Sequence, residues 1–139
     1  MSEPRGFTLI ELVVTLLLVA ILALYAAPKF IGPSAFQTEV TRDALLAELR
    51  ALQQFRLAGQ DCRFQADAAE FGLQGDCASQ AAYELDGVSL TLAGNRNFAL
   101  ELDERGRPVS ACSGGCQLQL LGQSSLAICI GSEGYVHGC

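Results

Sequence analysis

The chain has a single histidine, no tryptophan and no run of basic residues. Each absence removes a class of chemistry. One histidine cannot supply the paired imidazoles of most zinc sites, and no CxxC spacing stands in for them. No Ser/His/Asp set, phosphate-cradling loop or motif-placed carboxylate pair is present. Nothing calls for catalysis, and no cofactor is expected. The net charge is −6, so phosphate attraction does not drive binding and nucleic acid is not an expected partner. Internal repeats and low-complexity tracts are also missing.

What the chain does have is one long apolar run near its start. Leu12 to Ala27 is 16 residues without a charge, a glycine or a proline. Counted from Phe7 the run has 21 residues. As a helix it would be about 31 Å long, just enough for a bilayer core. The one charge inside it is Glu11. A carboxylate in hydrocarbon is costly and needs a partner. If the chain is cut after Gly6, the new amine on Phe7 lies about one helical turn from Glu11, near enough to pair with it or with a neighbouring copy's Glu11. An ordinary secretory signal is cut after its apolar core; here the cut precedes it and would leave the helix on the mature chain. Arg5 before the run and Lys29 after it give little orientation bias. The short N-terminal flank favours a cytoplasmic start and an exported C-terminal domain.

The six cysteines, Cys62, Cys77, Cys112, Cys116, Cys129 and Cys139, all follow that run. An even number in an exported domain reads as up to three disulfides. Neighbouring pairs are expected: Cys62–Cys77, Cys112–Cys116 and Cys129–Cys139. Zinc is the competing reading, and the irregular spacings speak against it. His137 is expected to be a surface or satisfied strand residue. Asp61, Asp67, Glu70 and Asp76 lack the alternating-ligand pattern of a calcium loop and read as solvated. No metal is expected.

A continuous helix is expected over Phe7–Ala27, interrupted at Pro28 and at Gly32-Pro33. A second, amphipathic helix runs from Ser34, its N-cap, to Ala58, with Gly59 beyond its end. Its apolar face collects Val40, Ala44, Ala47, Ala51, Phe55 and Ala58, widened by Leu45, Leu49 and Leu52, and should pack on a sheet. Residues 60–82 show no period and read as a loop, with one helical turn near Asp67–Phe71. Strands are expected at Tyr83–Leu85 and Val88–Ala93 around an Asp86-Gly87 hairpin turn. Others are expected at Phe98–Leu102, Gln117–Leu121, Leu126–Ile130 and Tyr135–His137, with a turn over Asp103–Pro108. The fold class is α+β: a long N-terminal helix, one half apolar and one half amphipathic, packed on an antiparallel sheet.

Gly6-Phe7-Thr8-Leu9-Ile10-Glu11 and the apolar run behind it resemble the N-terminal signature of type IV pilins and type II secretion pseudopilins. Phe30–Cys62, with Arg42-Asp43-Ala44-Leu45-Leu46 and Leu49-Arg50-Ala51-Leu52-Gln53-Gln54, more weakly resembles minor pilins of the mannose-sensitive haemagglutinin pilus system and related minor pseudopilins. Ile128-Cys129-Ile130-Gly131 has a similar flavour. The resemblance implies a leader over residues 1–6, a membrane and filament-core helix over 7–33 and an exported globular domain over 34–139. It implies cleavage after Gly6 by a prepilin peptidase, N-methylation of Phe7, and a role for Glu11 in guiding subunits into a filament. The implied partners are that peptidase, other pilin or pseudopilin subunits, the inner-membrane assembly machinery and, before assembly, membrane lipid. The implied location is the inner membrane with a periplasmic domain, and then the filament. Six cysteines lean towards a minor subunit. Two other readings remain: a DNA-uptake or adhesion pilin whose sheet domain touches a ligand, and a membrane-anchored protein of other function.

Overall fold

The computed structural model describes residues 6–30, 33–77 and 81–139, with the backbone alone for 26–30 and 33–35. The expected leader residues 1–5 and the expected break at Gly32 lie outside them. The chain divides into two compact units, Met1–Pro33 and Ser34–Cys139.

The described part of the first unit contains the helix α1, Leu9–Phe30. Its backbone stays helical through Pro28, so that proline does not end it. The second helix, α2, spans Pro33–Leu57. Pro33 opens it, because a proline in the first turn loses no helical hydrogen bond and its fixed φ suits the helix. Ser34 therefore lies inside the helix and is not its N-cap. At the other end Gly59 has φ +81°. Gln60 N–H donates to the Phe55 carbonyl and Gly59 N–H to the Arg56 carbonyl, each at 3.0 Å, which closes α2 with a Schellman turn.

Among the described residues nine strands follow, in two antiparallel sheets. The first holds β1 (Cys62–Ala66), β2 (Glu70–Gly75), β3 (Tyr83–Glu84), β5 (Phe98–Leu102) and β6 (Pro108–Val109), in the order β3-β2-β1-β5-β6. The second holds β4 (Ser89–Leu92), β7 (Gly115–Leu121), β8 (Ser125–Gly131) and β9 (Val136–Gly138), in the order β4-β7-β8-β9. A 3-10 turn, Ser110–Cys112, joins β6 to β7.

Several expectations need correction. Residues 60–82 are not a loop but contain the β1–β2 hairpin, with Phe64 opposite Leu73. In β1 burial alternates strictly, Cys62, Phe64 and Ala66 inward, Arg63 and Gln65 outward. A small alanine and a cysteine at two of three inward positions hide that period in the sequence. No helical turn forms at Asp67–Phe71. There the Asp67 carboxylate accepts the N–H groups of Ala69 and Glu70 at 2.7 and 2.9 Å and shapes a tight turn between the strands. Asp86-Gly87 does not make a hairpin, because β3 pairs with β2 while β4 pairs with β7. That dipeptide instead carries the chain from one sheet to the other.

The buried face of α2 includes the expected Leu45, Leu49 and Leu52, with Ala44 and Phe55 packed against the core, but it turns away from Val40 and Ala47. Leu45, Leu46, Leu49 and Leu52 are buried with Thr38 and Thr41, whereas Val40 is 51% exposed and Ala47 faces solvent. Leucine buries more apolar area than alanine, about 1.5–3 kcal/mol for a full side chain, so the leucine stripe wins the core. It packs with Phe64, Phe71, Leu100 and Leu102 of the first sheet and Leu90, Leu118, Leu120, Ile128 and Val136 of the second in one apolar cluster. Polar bonds at the end of α2 fix its seat. The Gln53 amide donates to the Gly134 carbonyl, and Arg56 Nε donates to the Leu102 carbonyl at 2.9 Å. Arg56 also reaches the Asp61 carboxylate at 2.9 Å.

Candidate functional site

The residues singled out at the N-terminus sit where backbone geometry changes. Gly6, Phe7 and Thr8 are not helical, and α1 starts at Leu9. Gly6 is exposed, and a methyl group added at its Cα would meet no atom within 4 Å. Phe7 is 81% exposed. The Gly6–Phe7 peptide bond therefore lies in accessible, non-helical chain just ahead of a helix, a placement a protease can grip.

Thr8 caps that helix. Its hydroxyl accepts the Glu11 backbone N–H at 3.3 Å, and its carbonyl accepts the Leu12 N–H at 3.1 Å. Thr8 and Glu11 thus hold the two ends of a Thr-x-x-Glu spacing, the pattern of a capping box. The Glu11 carboxylate sits in the first turn, where the helix dipole favours negative charge. Glu11 therefore has a local structural role whatever else it does. That spacing is a sequence signal for the cap, although the motif assigns roles to Gly6, Phe7 and Glu11 alone.

From Leu12 to Leu24 the surface of α1 is apolar on every side. Leu9, Ile10, Leu12, Val13, Val14, Leu16, Leu17, Leu18, Val19, Ile21, Leu22 and Leu24 are between 41% and 81% exposed. Thr15 turns its hydroxyl onto the Leu12 carbonyl at 2.8 Å, which hides the only hydroxyl side chain in that stretch. Phe7 and Thr8 precede the helix, so it is shorter at its start than the expected Phe7–Ala27. Among the described residues no helix is long and apolar enough to cross a membrane.

The cysteines form three bonds, Cys62–Cys77, Cys112–Cys116 and Cys129–Cys139. The first clamps the open end of the β1–β2 hairpin, where Cys62 faces Gly75. The second closes the turn from the 3-10 segment into β7. The third ties the C-terminus to β8, beside the bond from Cys139 N–H to the Ala127 carbonyl at 3.1 Å. His137 stacks on Tyr135 with ring centres 5.0 Å apart.

The acidic residues serve turns. The Ala69 and Glu70 N–H groups hold the Asp67 carboxyl below its ordinary pKa. The Arg107 N–H, then the Arg107 side chain and the Arg105 N–H, do the same for Asp103. Asp61 pairs with Arg56, and Asp76 accepts the Asp61 N–H at 3.3 Å. Burial pushes Glu48, on α2, the other way.

No curated protein and no solved structure matches the chain. Residues 1–27 match the family described as the prokaryotic N-terminal methylation motif. That match covers Gly6, Phe7, Thr8, Glu11 and most of the apolar helix. The chain thus carries the signature of type IV pilin and pseudopilin prepilin-type substrates.

Proposed function

We propose that this protein is a minor pilin or pseudopilin, a structural subunit and not an enzyme. A prepilin peptidase would cut after Gly6, removing the leader 1–6, and N-methylation would follow on Phe7. Residues 7–33 would first lodge in the inner membrane and then form the filament core, with the domain 34–139 on the periplasmic side. Neighbouring subunits and the inner-membrane assembly machinery would be its partners.

The observation that carries this reading is the apolar exposure around α1, most of which lies inside the methylation-motif match. A helix with no polar face must cover that surface with lipid or with other apolar helices. Glu11, the one acidic residue on it, would need a cation on leaving the bilayer, and the Phe7 amine of a neighbouring subunit supplies one.

Glu11→Val tests the assignment. The variant keeps an apolar helix, so the peptidase should process it normally. Its recovery in sheared filament fractions should fall at least tenfold while its membrane level stays unchanged. Normal incorporation would contradict the role given to Glu11.

A further inference from the structure

The two sheets differ sharply in charge. Outward positions of the first sheet carry Arg63, Glu70, Glu84 and Glu101, whereas β4, β7, β8 and β9 contain no Asp, Glu, Lys or Arg. In a chain of net charge −6 that is a segregated surface. Where the uncharged sheet meets β5 there is an open cleft of about 750 Å³. Four carboxamides line it: Asn95 and Asn97 from the β4–β5 connection, Gln117 and Gln119 from β7. The period of a strand puts Gln117 and Gln119 on one face of β7, opposite Cys129 and Ala127 of β8. The half-buried Phe98 ring lies among them, backed by Phe64 at 6.2 Å between ring centres. Among the described residues no ionisable side chain lines the cleft. The groove around Arg56 is its opposite, lined by Arg56, Arg63, Asp61, Glu101 and Asp103.

These residues define a chemistry. A carboxamide offers both donors and acceptors without charge. None of the four is held by another side chain among the described residues. An uncharged cleft gives no advantage to an anion or a cation, since nothing in it offsets the ligand's lost hydration. It suits a ligand that is neutral, rich in hydroxyls and apolar on one face. A pyranose ring has that form: its C–H face can lie on Phe98 while its hydroxyls exchange hydrogen bonds with the amides.

We infer that the cleft between β5 and β7 binds a neutral oligosaccharide, with Phe98 as its platform and Asn95, Asn97, Gln117 and Gln119 as its hydrogen-bonding rim. The site does not depend on cleavage at Gly6 or on filament assembly. An uncharged extended peptide is the rival occupant.

Saturation-transfer NMR on the full chain in a zwitterionic, sugar-free detergent tests it. The probes are cellotriose, maltotriose, N,N′-diacetylchitobiose, the anionic 3′-sialyllactose and a neutral Ser-Thr-Asn-Gln-Gly peptide. Transfer to the ring protons of at least one neutral oligosaccharide is expected, with a Kd of roughly 0.1–1 mM. It should not change between about 50 and about 500 mM salt, because no charge is involved. Gln117→Ala with Gln119→Ala should weaken it at least tenfold, and Gln117→Glu with Gln119→Glu likewise. Arg63→Ala, in the charged groove, should leave it unchanged. No transfer to any neutral oligosaccharide would overturn the inference. So would binding that survives both pairs of substitutions, preference for the sialylated probe, or binding of the peptide alone.

Discussion

The Thr8 hydroxyl accepts the backbone N–H of Glu11 at 3.3 Å, two residues after the Gly6–Phe7 bond. The residue that caps α1 and the residue assigned to assembly are therefore one device. Thr8→Ala leaves a first-turn N–H without its acceptor, which costs about 1 kcal/mol of local helix stability. Amide hydrogen exchange at Leu9–Leu12 should then quicken by roughly fivefold. Unchanged exchange would mean the cap contributes nothing.

A second prediction concerns Gly134. It has φ +89°, and a Cβ there would run into the Gly106 carbonyl. Its own carbonyl accepts the Gln53 amide, so it cannot shift freely. Gly134→Ala should cost about 2–4 kcal/mol, from left-handed backbone strain and the clash together. Gly138→Ala, where an added methyl meets nothing within 4 Å, is the control. It should stay within about 0.5 kcal/mol of the parent. Urea midpoints on the two variants decide the matter; equal losses would contradict the packing described here.

The disulfides should rank by the length of chain they close. Cys62–Cys77 spans 15 residues, Cys129–Cys139 spans 10 and Cys112–Cys116 spans 4. Constraint of the unfolded chain grows with that length, to about 3 kcal/mol for the longest of them. Paired Cys→Ser substitutions should lower the urea midpoint most at 62/77 and least at 112/116. The reverse order would show that native contacts outweigh loop closure.

Acid should unfold the domain partly through its turn carboxylates. Asp67 and Asp103 have folded pKa values below their ordinary ones. The stability they add is full above the ordinary carboxylate range, about pH 4, and is lost as pH falls through their lower folded values. Asp67→Asn with Asp103→Asn should therefore flatten the acid limb of the stability curve and lower stability at neutral pH. Glu48 acts in the opposite sense: its folded pKa is raised, so it penalises folding as pH rises past its ordinary value. Glu48→Gln should then stabilise the domain at neutral pH. A curve unaffected by the Asp pair would rule out their part in acid unfolding.

The order of elements was largely readable from residue patterns, because each relied on local chemistry. Gly59 ends α2 through its own backbone freedom, and the alternation in Phe98–Leu102 and Gln117–Leu121 reports one buried face. What was misread depends on partners distant in sequence. The Asp86-Gly87 dipeptide has hairpin chemistry, yet β3 finds β2 and β4 finds β7. The β1 strand was invisible because Cys62 and Ala66 are weak apolar signals until Phe71, Leu100 and the disulfide close around them. The face of α2 is centred on its leucines and not on Val40 and Ala47, because spacing alone does not say that leucines outcompete alanines for the core. At the N-terminus Gly6, Phe7 and Glu11 are legible as a motif, and the Thr8-x-x-Glu11 spacing signals the cap whose bond the structure shows.

Intact mass with N-terminal fragmentation, on protein taken from its native membrane fraction, tests the central claim most directly. The expected chain begins at Phe7, carries about 14 Da of added methyl and lacks about 6 Da of hydrogen for three disulfides. A chain that still begins at Met1 or Ser2 would contradict prepilin processing and the filament function built on it.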